Sequence, residues 1–220
     1  MVDNQLQQTN LRDQALAILK LRLVSGDLAP GQIYSAASLA AELGVSNSPV
    51  REAMLTLVNQ GLMETVRNRG FRVTPLSDTE RQNIYDLRVL LEIPSMARLA
   101  TMKDKVVERS DEFTQIAADM VGCARIGDVV GYLEYDRQFH IGLLEILDND
   151  HLVSIVSNLR DQTRQYGLRA LSERGLLVRS AEEHQPILDS LVSGNEARTI
   201  ELMTNHLSHL VGDWAGGEAL

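Results

Sequence analysis

The chain has 220 residues and a net charge of −9, with 44% hydrophobic, 23% charged and 4% aromatic residues, a composition that favours a helical globular protein over a β-sandwich. It excludes a membrane span, which needs ~18 apolar residues in a row, a secretory signal at the first residues and, with Cys123 the single cysteine, an internal disulfide framework; a cytoplasmic location is expected. The charge is uneven: residues 1–75 hold seven Lys/Arg and six Asp/Glu (+1), residues 76–220 hold fourteen and twenty-four (−10), which suggests two modules with different partners, 1–75 and 76–220.

The first nine residues are polar and are expected to fray. A helix is predicted from about Leu11 to Ser25, with Leu16, Leu19 and Leu23 in one stripe, ended by Gly26 and the Pro30-Gly31 pair. A second runs from Ala36 to Leu43 and stops at Gly44. A third follows Val45-Ser46-Asn47, with Ser48 as its cap, Pro49 at its first helical position and Val50, Met54, Leu57 and Val58 facing inward. Leu62–Val66 and Phe71–Thr74 read as two strands joined by Arg67-Asn68-Arg69-Gly70. Helix, helix–turn–helix and hairpin together make a winged helix. Its third helix offers free N–H groups to phosphate and side chains to the major groove, and its hairpin tip can lay Arg67 and Arg69 on the backbone or minor groove.

After a linker at Pro75-Leu-Ser-Asp78 the pattern is helical throughout. Helices are expected from Thr79 to about Met102, from Val106 to about Ala124, from Gly127-Asp128 to Asp148, from His151 to about Leu171 with Leu152, Ile155, Leu159, Thr163 and Tyr166 on its inward side, from about Ser180 to Gly194, and from there to about Gly212. This is an antiparallel all-α bundle.

Four polar residues break its apolar faces. Asp136 and His140 lie one turn apart on the face of Leu133, Leu143, Leu144 and Leu147; His184 shares the face of Ile187, Leu188 and Leu191; His206 shares that of Leu202, Met203 and Leu210. Burying such groups without partners costs several kcal/mol, roughly 2–7 for a neutral polar group. One carboxylate and three imidazoles in one core suit a divalent transition metal: Zn, Ni, Mn or Fe, zinc first among them. Arg88, in line with Ile84, Leu91 and Ser95, is the other anomaly. It either pairs with Glu92 on its own helix or holds the carboxylate of a ligand. No nucleophile motif and no clear general base accompany the four metal-type residues. A metal-dependent hydrolase or lyase that uses them stands as the alternative to a binding function.

The ordered set of motifs resembles the GntR family of bacterial transcription regulators, in the branch carrying the helical FCD effector domain in its shorter, six-helix form. The head resembles it through Leu28-Ala-Pro-Gly31, Leu39-Ala-Ala-Glu-Leu-Gly-Val-Ser46, Pro49-Val-Arg-Glu-Ala53, Gly61-Leu62 and Asn68-Arg-Gly70. The bundle does so through Asp86-Leu-Arg-Val-Leu-Leu-Glu92, Asp136-x-x-Phe-His140, Glu183-His184 and Asn205-His-Leu207. The resemblance implies a homodimer on a pseudo-palindromic operator, bound through Ser46, Asn47, Ser48, Pro49, Arg51, Arg67, Arg69 and Gly70. It also implies a small carboxylate effector in the bundle, a metal held by Asp136, His140, His184 and His206, and Arg88 on the effector. Repression released by the effector is the usual sense. The chain departs from the family pattern where Asn47 and Ala37 stand in place of arginines. Arginine reads guanine and asparagine adenine, so the operator is expected to differ from the commonest family sequence.

Overall fold

A computed structural model describes residues 2–163 and 176–208 of the chain. They fall into two compact units, Met1–Leu76 and Ser77–Leu220.

The first unit is a winged helix. Helices α1 (Val2–Ser25), α2 (Ala36–Leu43) and α3 (Asn47–Asn59) pack with a three-stranded antiparallel sheet of order β1-β3-β2, made of β1 (Ile33–Tyr34), β2 (Met63–Val66) and β3 (Gly70–Val73). Its core is wholly apolar, with Leu19, Leu23, Leu28, Val50, Met54, Leu57 and Val73 among its members. Helix α1 starts well before the expected Leu11. Strand β1 was not expected either, since two residues carry no readable alternation.

Helix α3 is capped by Ser46, not Ser48. Pro49 therefore sits third in the helix, where its missing N–H is one of the four the first turn leaves unpaired anyway. The Ser46 side chain makes no capping hydrogen bond, and Pro49 removes one of the two N–H groups such a bond could use. In the wing, Gly70 has φ +121°, and a Cβ there would lie 2.3 Å from the Tyr34 carbonyl oxygen. Only glycine lets β3 approach β1 at that point.

The second unit is helical throughout its described residues: α4 (Asp78–Thr101), α5 (Lys103–Val107), α6 (Ser110–Ile126), α7 (Val129–Glu145), α8 (Asp150–Thr163), α9 (Leu176–Glu182), α10 (His184–Val192) and α11 (Glu196–Ser208). A capping box between Ser77 and Glu80 starts α4, and the helix runs on through Pro94. Gly127 in the left-handed conformation ends α6, and Asp128 caps α7 through the Gly131 N–H.

Three expectations change. The short α5 precedes α6, which begins at Ser110 instead of Val106. The helix expected from Ser180 is two helices: Pro186 cannot donate to the Glu182 carbonyl, and the chain turns at Glu183. On α8 the buried face is Val156, Leu159, Arg160 and Thr163, while Ile155, expected inside, is 51% exposed. The expected stretch of that helix from residue 164 to Leu171 and the end of the last helix near Gly212 lie outside the described residues.

Candidate functional site

Asp136 and His140 come from α7, His184 from the first turn of α10 and His206 from the last turn of α11. All four are buried, and one ligand-type atom from each lies within 4.8 Å of every other. The His140 Nε2 is 3.1 Å from the His184 Nε2 and 3.2 Å from the His206 Nε2. Asp136 Oδ1 is 3.3 Å from the His184 Nε2 and 3.6 Å from the His140 Nε2. Phe139 stands edge-on to the His140 and His184 rings, walling the cluster with hydrocarbon.

Hydrogen bonds fix what these nitrogens present. The His184 Nδ1 lies 3.1 Å from the carbonyl oxygens of Ser180 and Ala181, which can only accept. The His206 Nδ1 lies 2.9 Å from the Glu183 carboxylate. Both Nδ1 atoms therefore carry a proton, and in the neutral ring each Nε2 turns its lone pair toward the centre. His140 has at most one proton to share between them. Its own Nδ1 has no hydrogen-bond partner among the described residues, with Glu92 Oε2 4.0 Å away.

Lone pairs converging at this spacing repel one another unless a cation lies between them. Nitrogens that ligate zinc at ~2.0–2.1 Å stand ~3 Å apart, so the donor set fits a divalent transition metal. Burial pushes the His140 pKa well below the ordinary imidazole value and also lowers that of His206, so both stay neutral and able to ligate at neutral pH.

A second buried network adjoins the first. Arg88 Nε donates to Glu92 Oε1 at 2.6 Å, and its Nη1 reaches Thr163 Oγ1 at 3.3 Å. Arg160 Nη1 donates to Glu92 Oε2 at 2.7 Å, and its Nη2 donates to Asp136 Oδ2, also at 2.7 Å. Burial would raise the Glu92 pKa, but the two guanidinium groups outweigh it and hold the carboxyl below its ordinary range. Burial pulls the Arg160 pKa down; Asp136 and Glu92 together overcome this and raise it, whereas burial leaves Arg88 below its usual value. The two guanidinium groups thus hold Glu92 in its charged form, and Asp136 and Glu92 hold Arg160 in its own.

Of the two readings left open for Arg88, the geometry shows the pair with Glu92. Arg160 was missed. Its signal was present in the i, i+3, i+4, i+7 spacing of Val156, Leu159, Arg160 and Thr163, but an arginine on an apolar stripe normally reaches out to water.

In the winged helix, Ser46, Asn47, Ser48, Arg51, Arg67 and Arg69 are all exposed. Ser48 Oγ donates to Glu52. Arg67 and Arg69 flank Asn68, whose φ of 57° makes the tight tip. Pro49 is buried, so it packs inside the head, and half-buried Gly70 serves the sheet through its missing side chain.

A model of the gntR family of bacterial regulatory proteins matches residues 11–73, and a model of the FCD domain matches residues 83–209. The chain belongs to the GntR family. The gluconate operon transcriptional repressor of Bacillus subtilis (strain 168) is 31% identical over 172 residues, 78% of this chain and 69% of that one. The fold of this GntR regulator is shared by E. coli McbR/YncC, with a TM-score of 0.77 and 22% identity over 90% of this chain and 94% of that one. A GntR regulator from Rhodococcus sp. RHA1 gives a TM-score of 0.71 and 20% identity over 94% and 98%. The family is one of DNA-binding transcriptional regulators, and the hydrolase or lyase alternative finds no support in it. No helix among the described residues is long and apolar enough to cross a membrane.

Proposed function

We propose that this GntR regulator is a repressor that binds operator DNA as a homodimer and releases it when a small carboxylate enters a metal centre in the helical unit. The observation that carries the reading is the convergence of three imidazole Nε2 atoms and Asp136 Oδ1 in a buried site, with Arg160 on Asp136 and Arg88 joined to Arg160 through Glu92. Asp136, His140, His184 and His206 would hold a divalent transition metal, zinc first among the candidates, which would supply Lewis acidity toward an anionic oxygen.

The chain's own residues do the rest. His184 and His206 present lone pairs because Ser180, Ala181 and Glu183 hold their Nδ1 protons. Arg160 keeps Asp136 Oδ1 turned to the histidines by holding Oδ2. Arg88 offers the carboxylate of the effector a guanidinium donor. The similarity to a repressor named for a gluconate operon supports both the repressing sense and an organic acid as the signal. In the head, Arg51 reads the operator from α3 while Arg67 and Arg69 hold the backbone or minor groove. The effector acts by binding one of two states more tightly, and it can shift the balance only by that difference.

The test begins with elemental analysis of untagged protein before and after chelator dialysis. Near one equivalent of metal per chain, removed by the chelator, is expected. Reloaded protein should then bind its own upstream DNA in a salt-sensitive manner, because phosphate contacts release counterions. A panel of small carboxylates should weaken that binding. Protein that neither carries metal nor gains thermal stability from added zinc would sink the metal centre.

A further inference from the structure

The charges around the centre cancel before any metal arrives. Arg88, Glu92, Asp136 and Arg160 are each 3% exposed or less, and three ion pairs of 2.6–2.7 Å link them. Two guanidinium groups against two carboxylates sum to zero, and the three histidines add nothing in their neutral form. Glu183, the remaining acid at the cluster, is 25% exposed and so partly screened by water. A divalent cation would therefore leave an excess of nearly two positive charges in a buried site, which the protein interior tolerates poorly.

Arg160 is the origin of this balance. Asp136 and Glu92 would otherwise give the centre a net charge of −1 and accept a dication readily. The Arg160 Nε, buried, has no hydrogen-bond partner among the described residues, so the guanidinium also keeps one donor for an incoming acceptor.

We propose that Arg160 makes this centre load metal and a doubly charged carboxylate together, as one electroneutral unit, instead of taking the metal first and the effector afterwards. The proposal rests on the metal reading above and goes beyond it: it names a dicarboxylate as the effector class and Arg160 as the residue that enforces it. The coupling is reciprocal, so the anion must tighten the metal by the factor by which the metal tightens the anion.

The experiment titrates zinc into metal-free protein against a chromophoric chelator, in chloride, acetate and succinate at equal ionic strength, with the chelator's own zinc constant measured in each. Succinate is expected to raise zinc affinity at least a hundredfold, and acetate much less. Arg160→Met leaves the cluster at −1, and the succinate effect should fall below tenfold; Arg160→Lys, which keeps the charge, should retain it. Glu92→Gln leaves the cluster at +1 and should move the other way, with weaker zinc binding in chloride and a larger gain from succinate.

General damage to the core cannot shift the coupling in opposite directions in two variants; if Arg160→Met fails to fold, a succinate gain in Glu92→Gln no larger than the wild type's overturns the proposal. Zinc affinity indifferent to succinate, or raised as much by acetate, would overturn the proposal while leaving the metal reading intact. Wild-type protein that binds no zinc in any buffer would bring down both.

Discussion

The two units bury opposite kinds of residue. The winged head has a core of leucine, valine, methionine, alanine and phenylalanine, and its chemistry lies outside, on Asn47, Arg51, Arg67 and Arg69. Among the described residues, every buried polar or charged side chain belongs to the helical unit, from Arg88 to His206. The head must present a fixed shape to a large, charged partner, and an apolar core under a polar surface does that at least cost. On the proposed function the helical unit encloses a small partner, and its polar groups lie where a hydrophobic core would otherwise be. There each depends on its neighbours for compensation.

The contrast predicts how far each change should propagate. The largest effect is expected from Glu92→Ala. It leaves two buried guanidinium groups without their shared acceptor, a loss on the order of 3–5 kcal/mol, read as a fall in the urea midpoint of the helical unit. An unchanged midpoint would show that water reaches the network.

Acid should act next, and on the same unit. Burial holds the His140 and His206 pKa values below 6.5 in the fold. The unfolded chain therefore takes up protons before the folded one does. The stability these histidines contribute to metal-free protein is complete above pH 6.5 and is lost as pH falls from there toward their folded values. Urea melts of chelated protein should hold level from pH 8 to about pH 6.5 and decline from there to pH 5, and a profile level throughout would contradict the burial of these rings.

In the head the effects should separate. Arg51→Ala removes an exposed side chain, so stability should hold while specific operator affinity falls by about 1–3 kcal/mol, the worth of one bidentate base contact. Fluorescence anisotropy on operator and scrambled DNA measures the difference, and equal loss on both sequences would make Arg51 a phosphate contact. The smallest effect is expected from Glu64→Gln, which breaks the half-exposed pair with Arg72 across β2 and β3. Less than about 1 kcal/mol should be lost.

How much of this was legible depended on whether the signal was local. A polar residue on an apolar helical stripe is visible within one turn, and Asp136, His140, His184, His206 and Arg88 were all found that way. What such a residue touches is another matter. Arg160 reaches Glu92 across 68 residues and Asp136 across 24, and nothing in the pattern of α8 points to either. Choosing Ile155 over Val156 as the inward position turned that helix by one residue and put Arg160 outside. The winged helix was readable because caps, glycines and strand alternation agree along its length. Strand β1 escaped because its two residues pair only with β3, nearly 40 positions later. The break before His184 could have been anticipated from Pro186, which lacks the donor a continuous helix requires.

That break has a consequence for how the centre responds. The residue at the turn, Glu183, holds the ring of His206, and the next residue is His184, whose ring is held by carbonyls of the preceding helix. One short stretch, from Ser180 to Glu183, thus orients two imidazoles that belong to two different helices. A change of backbone there is expected to disturb both rings together and to leave Asp136 and His140 on α7 in place.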